Sequence, residues 1–562
     1  MANQRLLHYL ALVGAIALGT MLRFWHLDLK PLWLDEVITA LFSLGRNYND
    51  VPLETLFSLE RLDLIFSFNP AVSCPQIADN LATQSTHPPL FFCLMHKWLA
   101  TPVGDVLTHG LIWALRSLPA LFGVWAIVAI YYLNRLAFSP QAGLMAAAMM
   151  AVSPFAVYLS QEARHYTLPM LLITLALLGL IQIQQDCQRQ QLRFSVWIGW
   201  AIINSIGLYV HYFFILAFVA QLITLFGLMF WQHRTLPRKS WLIANLAVIT
   251  VIASFLPWLS IFFGHFNTSE TNWLPQPQYI TPLYQTLASW VLMIVALPVE
   301  NHPLAITVIS GLLMVLFTIW VAWHSFKGLR QLWHTPNQLS IITLTSFTLC
   351  VLLQFLTITY LLNKDITFIP RYHFVYYPSL VALIAASLIK SNPLSFIFKG
   401  KNIVKQNFYF LFFTCSILSC VLVVSNFVFQ KPYNPQLVAQ NLNQEPAIPL
   451  IVVVGYQDYQ DVALGLSFAL ALEKIRSNYT EFAFFRRSQG YEYIWQKLSQ
   501  LPVQEASQLN LWVIAPELKR RDYPLQLTLS SQNTCTLDPT QHYRIGIPYQ
   551  LYRCDTSLDT KR

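Results

Sequence analysis

Two adjacent carboxylates, Asp35 and Glu36, stand in Trp33-Leu34-Asp35-Glu36, just after the first long apolar run. Trp25, Leu32 and Trp33 surround them in sequence, and ionising both acids in apolar surroundings costs free energy. A carboxylate held at such a boundary can take a proton from a hydroxyl or an amine. The same two acids would also open a helix over 36–44, where they favour the N-terminal end of its dipole.

Three further clusters follow. In His87-Pro88-Pro89-Leu90, two prolines stiffen the entry to an amphipathic helix over 90–100 and hold His87 at its start. A plain interfacial helix breaker reads the same way. Ser160-Gln161-Glu162-Ala163-Arg164-His165-Tyr166 packs an acid, a cation and an imidazole into one short loop of an apolar chain. The planar fork of Arg suits a phosphate group, whereas a solvated turn with a snorkelling Arg is the plainer alternative. Pro370-Arg371-Tyr372-His373 offers the same chemistry. Arg116 and His211 stand alone and read more simply as interfacial anchors. No metal-type spacing occurs; a divalent ion at Asp35 and Glu36 stays open, but no ligand pattern demands one.

The elements that must position these residues are membrane spans. The chain has 562 residues, 55% hydrophobic and only 11% charged, against about 25% charged in soluble domains. A chain so poor in charge cannot clothe a soluble surface. Apolar runs of span length occur near 6–24, 115–133, 141–159, 166–184, 195–210, 212–231, 241–261, 304–323, 340–362, 373–389 and 408–429. These are about eleven transmembrane helices, with 88–100 and 282–298 left as interfacial helices. With the N-terminus inside, the inner segments hold Arg5, Arg135, Arg189, Arg193, Arg234, Arg238, Lys239, Lys327, Arg330, Lys390, Lys399, Lys401 and Lys405, and Asp186 is their only acid. That satisfies the positive-inside rule. The net charge of +9 is therefore mostly a topology signal and not one for nucleic acid. The first run is long for a signal peptide and reads as a retained anchor.

After Phe429 the texture changes. Strands are expected at 448–454, 481–485 and 509–515, and helices at 460–475 and 491–501. The division expected is a transmembrane domain over 1–429, including a first outer loop at 25–114, and a small extracytoplasmic α/β domain over 430–562. Cys535 and Cys554 are candidates for a disulfide, Cys74 and Cys93 weaker ones. Cys350, Cys415 and Cys420 lie in spans as packing residues. All the candidate residues named above fall on the outer face.

At these motifs the chain resembles the GT-C class of integral-membrane glycosyltransferases. The closest branch is the bacterial mannosyltransferase and aminoarabinose-transferase-like group, related to protein O-mannosyltransferases. The resemblance rests on Asp35-Glu36 after the first span, His87-Pro88-Pro89-Leu90, Gln161 to Tyr166 and Pro370-Arg371-Tyr372, and covers about residues 1–390. It implies a polyprenyl-phosphate-linked sugar as donor and transfer on the extracytoplasmic face of the plasma membrane. The acceptor implied is a lipid, a polysaccharide or a protein. It also implies Asp35 as base, assisted by Glu36, and Arg164, His165 and Arg371 as donor-phosphate ligands. The long stretch from Arg46 to Thr86 departs from simple members. The alternative is a multi-span transporter or lipid flippase, which would be expected to show an internal repeat and helices interrupted at mid-membrane. No convincing repeat occurs. A ligand sensor would leave the Asp-Glu and His-Pro-Pro-Leu motifs unexplained.

Overall fold

The computed structural model describes residues 2–231, 236–266, 274–391, 403–476, 479–502, 508–530 and 533–556. Arg234, Lys399 and Lys401, counted above among the inner bases, lie outside the described residues. The chain divides into two compact units. The first comprises Met1–Leu29, Thr86–Leu94 and Trp113–Phe429, the second Lys30–Ser85, Met95–Ile112 and Gln430–Arg562.

The first unit is helical. Among the described residues, eight helices are long and apolar enough to cross a membrane: Asn3–Phe24, Leu111–Ala137, Thr167–Gln188, Phe214–Trp231, Arg238–His265, Leu304–Trp333, Gln338–Leu361 and Asn407–Val424. A ninth results if Pro140–Ala151 and Pro154–Ser160, bent by 58° at their junction, form one span. Phe194–Leu208 and Tyr377–Ser391 occupy the two remaining expected spans. At 15 residues each they reach about 22 Å, short of a ~30 Å hydrocarbon core. The chain is thus a multi-pass membrane protein whose length criterion supports eight or nine spans. The interfacial expectations correspond to helices Leu90–Leu99 and Thr281–Ile294.

The bend at 152–153 was expected as a continuous span, and its cause is local. The Ser153 hydroxyl accepts from the N–H of Ala156, and Pro154 occupies the first turn, where its missing N–H does no harm. The helix before the bend loses partners for its last carbonyls. Arg23, fully buried in the first helix, supplies them: it donates to the carbonyls of Met150 at 2.9 Å and Ala151 at 3.1 Å. A third bond, to its own helix at Gly19 O, is 2.9 Å.

The second unit is built on a seven-stranded sheet: β1 (Leu56–Ser58), β2 (Leu450–Tyr456), β3 (Thr480–Arg486), β4 (Gln508–Ile514), β5 (Gln526–Leu529), β6 (Asn533–Ile545) and β7 (Ile547–Thr556). The order is β1-β3-β2-β4-β7-β6-β5. β3, β2 and β4 are parallel, joined through helices Tyr459–Glu473 and Tyr491–Ser499; the other pairings are antiparallel. Every residue of β2 is buried, as its continuous apolar run requires of a central parallel strand. Ile451, Val453, Phe485, Leu511 and Val513 pack with Ile494 and Leu498 from helix Tyr491–Ser499.

Most of the first outer loop, expected with the spanning domain, groups instead with 430–562. β1 pairs with β3, and helix Leu34–Ser43 packs on helix Tyr459–Glu473. Cys535 lies opposite Cys554 in the β6–β7 ladder and is disulfide-bonded to it. Cys74 is a disulfide cysteine as well, and so is Cys93.

Candidate active site

In the first unit, four loops and helix ends bring together residues far apart in sequence. The Arg164 guanidinium lies 2.8 Å from His87 Nε2, at the entry to helix Leu90–Leu99. The ring of His165 is 5.2 Å from that of His87 and 4.4 Å from that of His211, centre to centre. His211 sits in the reversal between helices Phe194–Leu208 and Phe214–Trp231. Its Nδ1 accepts from the N–H of Phe213 at 3.0 Å, which leaves the proton on Nε2. Arg371 Nε donates to the Tyr166 hydroxyl at 3.0 Å, and its guanidinium stands over the rings of Tyr166 and Tyr372 at 5.9 and 5.8 Å. Arg164 stands 5.8 Å from the centre of the Tyr166 ring as well. His87, Arg164, His165, Tyr166, His211, Arg371 and Tyr372 therefore form one cluster.

The backbone explains how Glu162 joins it. Its carbonyl accepts from the N–H of Arg164 at 2.7 Å, a tight turn that presents both side chains from one loop. Tyr158, one turn earlier, is hydrogen-bonded to Arg371 and lies beside Glu162. Gln161 ties the same loop to the end of the first helix through the carbonyls of Leu22 and Trp25, at 3.3 and 2.8 Å. Arg116, at the start of helix Leu111–Ala137, donates to the carbonyl of Leu27 at 2.9 Å. One of its roles is therefore to fix the turn after the first helix.

The cluster is water-poor: Arg164 is 3% and His165 2% exposed. Burial pushes the imidazoles of His87, His165 and His211 well below the usual histidine range. Arg164 adds to this at all three; for His165 the largest charge contribution comes from His211. His211 is driven to about 3. At neutral pH the three rings are neutral donors and acceptors, and the positive charge resides on Arg164 and Arg371. His165 Nδ1 is buried and has no hydrogen-bond partner among the described residues. A buried guanidinium, Arg164, and a half-buried one, Arg371, flanked by neutral N–H donors are suited to an oxyanion such as phosphate.

His373, grouped with Arg371 in sequence, serves the framework. Its Nε2 donates to the Thr367 carbonyl at 3.1 Å. Its Nδ1 accepts from the Tyr376 hydroxyl at 2.6 Å, which in turn accepts from Trp290 Nε1 at 2.9 Å.

In the second unit, Asp35 and Glu36 occupy the first turn of helix Leu34–Ser43, capped by Trp33, so the helix-opening reading holds in geometry. The two acids are not equivalent: Glu36 is fully buried and Asp35 half-buried. Asp35 is the carboxylate with access. Lys431 Nζ covers the Trp33 ring at 4.2 Å, and the charges of Asp461 and Asp35 both act on the Tyr433 hydroxyl, after burial, to raise it. Asp461 itself is pushed up to about 6 by burial. Among the described residues no group of three or more His, Cys, Asp or Glu side chains is arranged to hold a metal ion.

Lys431 as a neighbour of Trp33 and Tyr433 as a neighbour of Asp35 were not legible, since nothing in sequence links positions some four hundred residues apart. Arg23 had a signal: a lone cation within an apolar span.

Residues 86–260 match the family of dolichyl-phosphate-mannose-protein mannosyltransferases. The matched segment contains His87, Arg116, Glu162, Arg164, His165, Tyr166 and His211; Asp35 and Arg371 fall outside it. No curated protein matches the chain by sequence. Among solved structures, ArnT from Cupriavidus metallidurans in the apo state is similar, with 11% identity and a TM-score of 0.53, covering 92% of this chain and 94% of that one. The same protein bound to undecaprenyl phosphate gives 13% identity and a TM-score of 0.50, over 89% and 92%. The likeness is one of fold.

Proposed function

We propose that this chain is a GT-C class membrane glycosyltransferase and that it transfers a sugar from a polyprenyl-phosphate donor to an acceptor at the extracytoplasmic face. The observation that carries the reading is the cluster of buried Arg164 and half-buried Arg371 with three neutral histidines. A phosphate leaving group has a low pKa and needs charge stabilisation more than protonation. Arg164 and Arg371 would supply the charge, and His87, His165 and His211 would supply hydrogen bonds. That the similar ArnT binds undecaprenyl phosphate supports a lipid phosphate as the ligand.

The acceptor hydroxyl or amine needs its proton removed as the new bond forms. Asp35, the more accessible acid, is the candidate base. Glu36 would orient it from the buried side of the same helix turn. Direct displacement with inversion at the anomeric carbon is the implied route. Acceptor candidates are a lipid, a polysaccharide or a protein. The reading places the chain in the plasma (inner) membrane, with its N-terminus cytoplasmic and residues 430–562 outside; the bases of the short inner loops support it.

The test is to incubate purified protein with a panel of polyprenyl-phosphate sugars and follow release of polyprenyl phosphate. Turnover with one of them is the expected outcome. Neither turnover nor binding with any would move the reading to a transporter.

A further inference from the structure

Helices Leu111–Ala137, Thr167–Gln188 and Phe194–Leu208 enclose an open cavity of about 660 Å³, within the range of small-molecule sites. It lies far from the histidine cluster. Thr167 directly follows the Glu162–Tyr166 loop, and Gln182 at the cavity mouth is about 22 Å further along that helix axis. The cavity is therefore at the opposite membrane boundary.

Its chemistry is graded. Arg135, Gln182 and Ser195 line it from the ends of their three helices, which makes that end the mouth, whereas Leu175, Leu178 and Ile203 line it further along the helix axes. Glycine makes the room: a Cβ at Gly199 would meet nothing within 4 Å, and one at Gly179 would come within 3.3 Å of the Trp200 ring. Trp200 is pinned from behind by a 2.8 Å bond from Nε1 to Gln221 Oε1, so the wall is set.

The mouth is cationic. Arg135 is exposed and gives one donor to the Tyr131 hydroxyl at 3.3 Å and another to Tyr9. A guanidinium has five N–H donors, so others remain for a ligand. The nearby acid, Asp186, is paired with Arg193 Nε at 2.9 Å and takes a bond from Gln182 at 3.0 Å. The local balance thus favours an anion on top of an apolar slot that faces acyl chains.

We propose that this cavity binds an anionic glycerophospholipid of the leaflet opposite the histidine cluster. Its phosphate meets Arg135, Gln182 and Ser195, and an acyl chain runs along Leu175, Leu178 and Ile203. The inference rests on the chain being membrane-spanning and not on the transfer reaction proposed above.

Native mass spectrometry of the delipidated full chain tests it, with phosphatidylglycerol, phosphatidylethanolamine and undecaprenyl phosphate titrated separately. The expected result is one phosphatidylglycerol bound about ten-fold more tightly than phosphatidylethanolamine, a difference of about 1.4 kcal/mol. Gly199→Trp, which fills the slot, should remove that site. Arg135→Gln, an exposed change that leaves the packing intact, should erase the head-group preference while one lipid still binds. Equal binding of the two phospholipids to the unaltered protein would overturn the proposal. So would a preference that survives Arg135→Gln, or displacement of phosphatidylglycerol by equimolar undecaprenyl phosphate, which would make the cavity a carrier site.

Discussion

Replacing His211 by Asn should flatten the acid sensitivity of the spanning unit. In the folded protein burial holds this imidazole at about 3, against about 6.5 in an unfolded chain. Between those values the unfolded chain binds a proton that the folded one refuses. The stability tied to His211 is therefore fully present above about pH 6.5 and is lost as pH falls below it. From about pH 7.5 to about pH 5, one such group removes about 2 kcal/mol. Asn does not titrate, and its Oδ1 can replace Nδ1 as acceptor for the Phe213 N–H, now made at 3.0 Å. His87 and His165 remain in both proteins, and His211 is one of the groups acting on them, so the comparison reads His211 together with its effect on those two rings. The assay is the melting midpoint in detergent at the two pH values for both proteins. The unaltered protein should lose a few degrees more than H211N on acidification. An equal acid loss in both would show that His211 is solvated or already charged, and would refute the account of the cluster as neutral imidazoles around two guanidiniums.

Asp35→Asn should abolish release of polyprenyl phosphate while expression and melting stay unchanged; full activity would remove Asp35 as the base. Arg371→Ala should raise the donor concentration needed for half-maximal rate by about ten-fold or more, in line with loss of a charge-assisted bond, and leave the acceptor requirement nearly unchanged. Equal effects on both would argue against a phosphate role. Arg23→Met strands the carbonyls of Met150 and Ala151 and should lower stability by about 1–3 kcal/mol for each buried group left unpaired, read as an earlier melt with retained helicity. The double change Cys535→Ser and Cys554→Ser opens a link between residues 19 apart and should cost about 3 kcal/mol, seen as earlier proteolysis of the 430–562 region.

Much of the architecture was legible because periodicity and composition are local signals. The strand expected at 448–454 is β2 at Leu450–Tyr456, and the helix expected at 460–475 is Tyr459–Glu473. The helix expected at 36–44 is Leu34–Ser43. The span expected at 141–159 breaks at Ser153-Pro154, a capping pair that a sliding window averages away. β1 escaped notice for another reason: Leu56–Ser58 is too short to show alternation, and its partner lies far along the chain. At the candidate site, residue type singled out Arg164, His165 and Arg371, which the fold brings into one cluster. It could not separate Arg371 from His373, neighbours in sequence whose side chains face different partners.

The pairing of Leu56 with Ala483 also imposes a schedule. Some four hundred residues are made between the two strands, which at ~5–20 residues per second takes about 20 to 80 s. Throughout that interval the segment bearing Asp35 lacks the edge on which β1 will settle. A nascent chain halted before β3 would leave that segment open to chaperones and proteases. Maturation of the carboxylate pair is therefore tied to synthesis of the chain's far end, so a protein released early from the ribosome cannot acquire its Asp35 helix in final form.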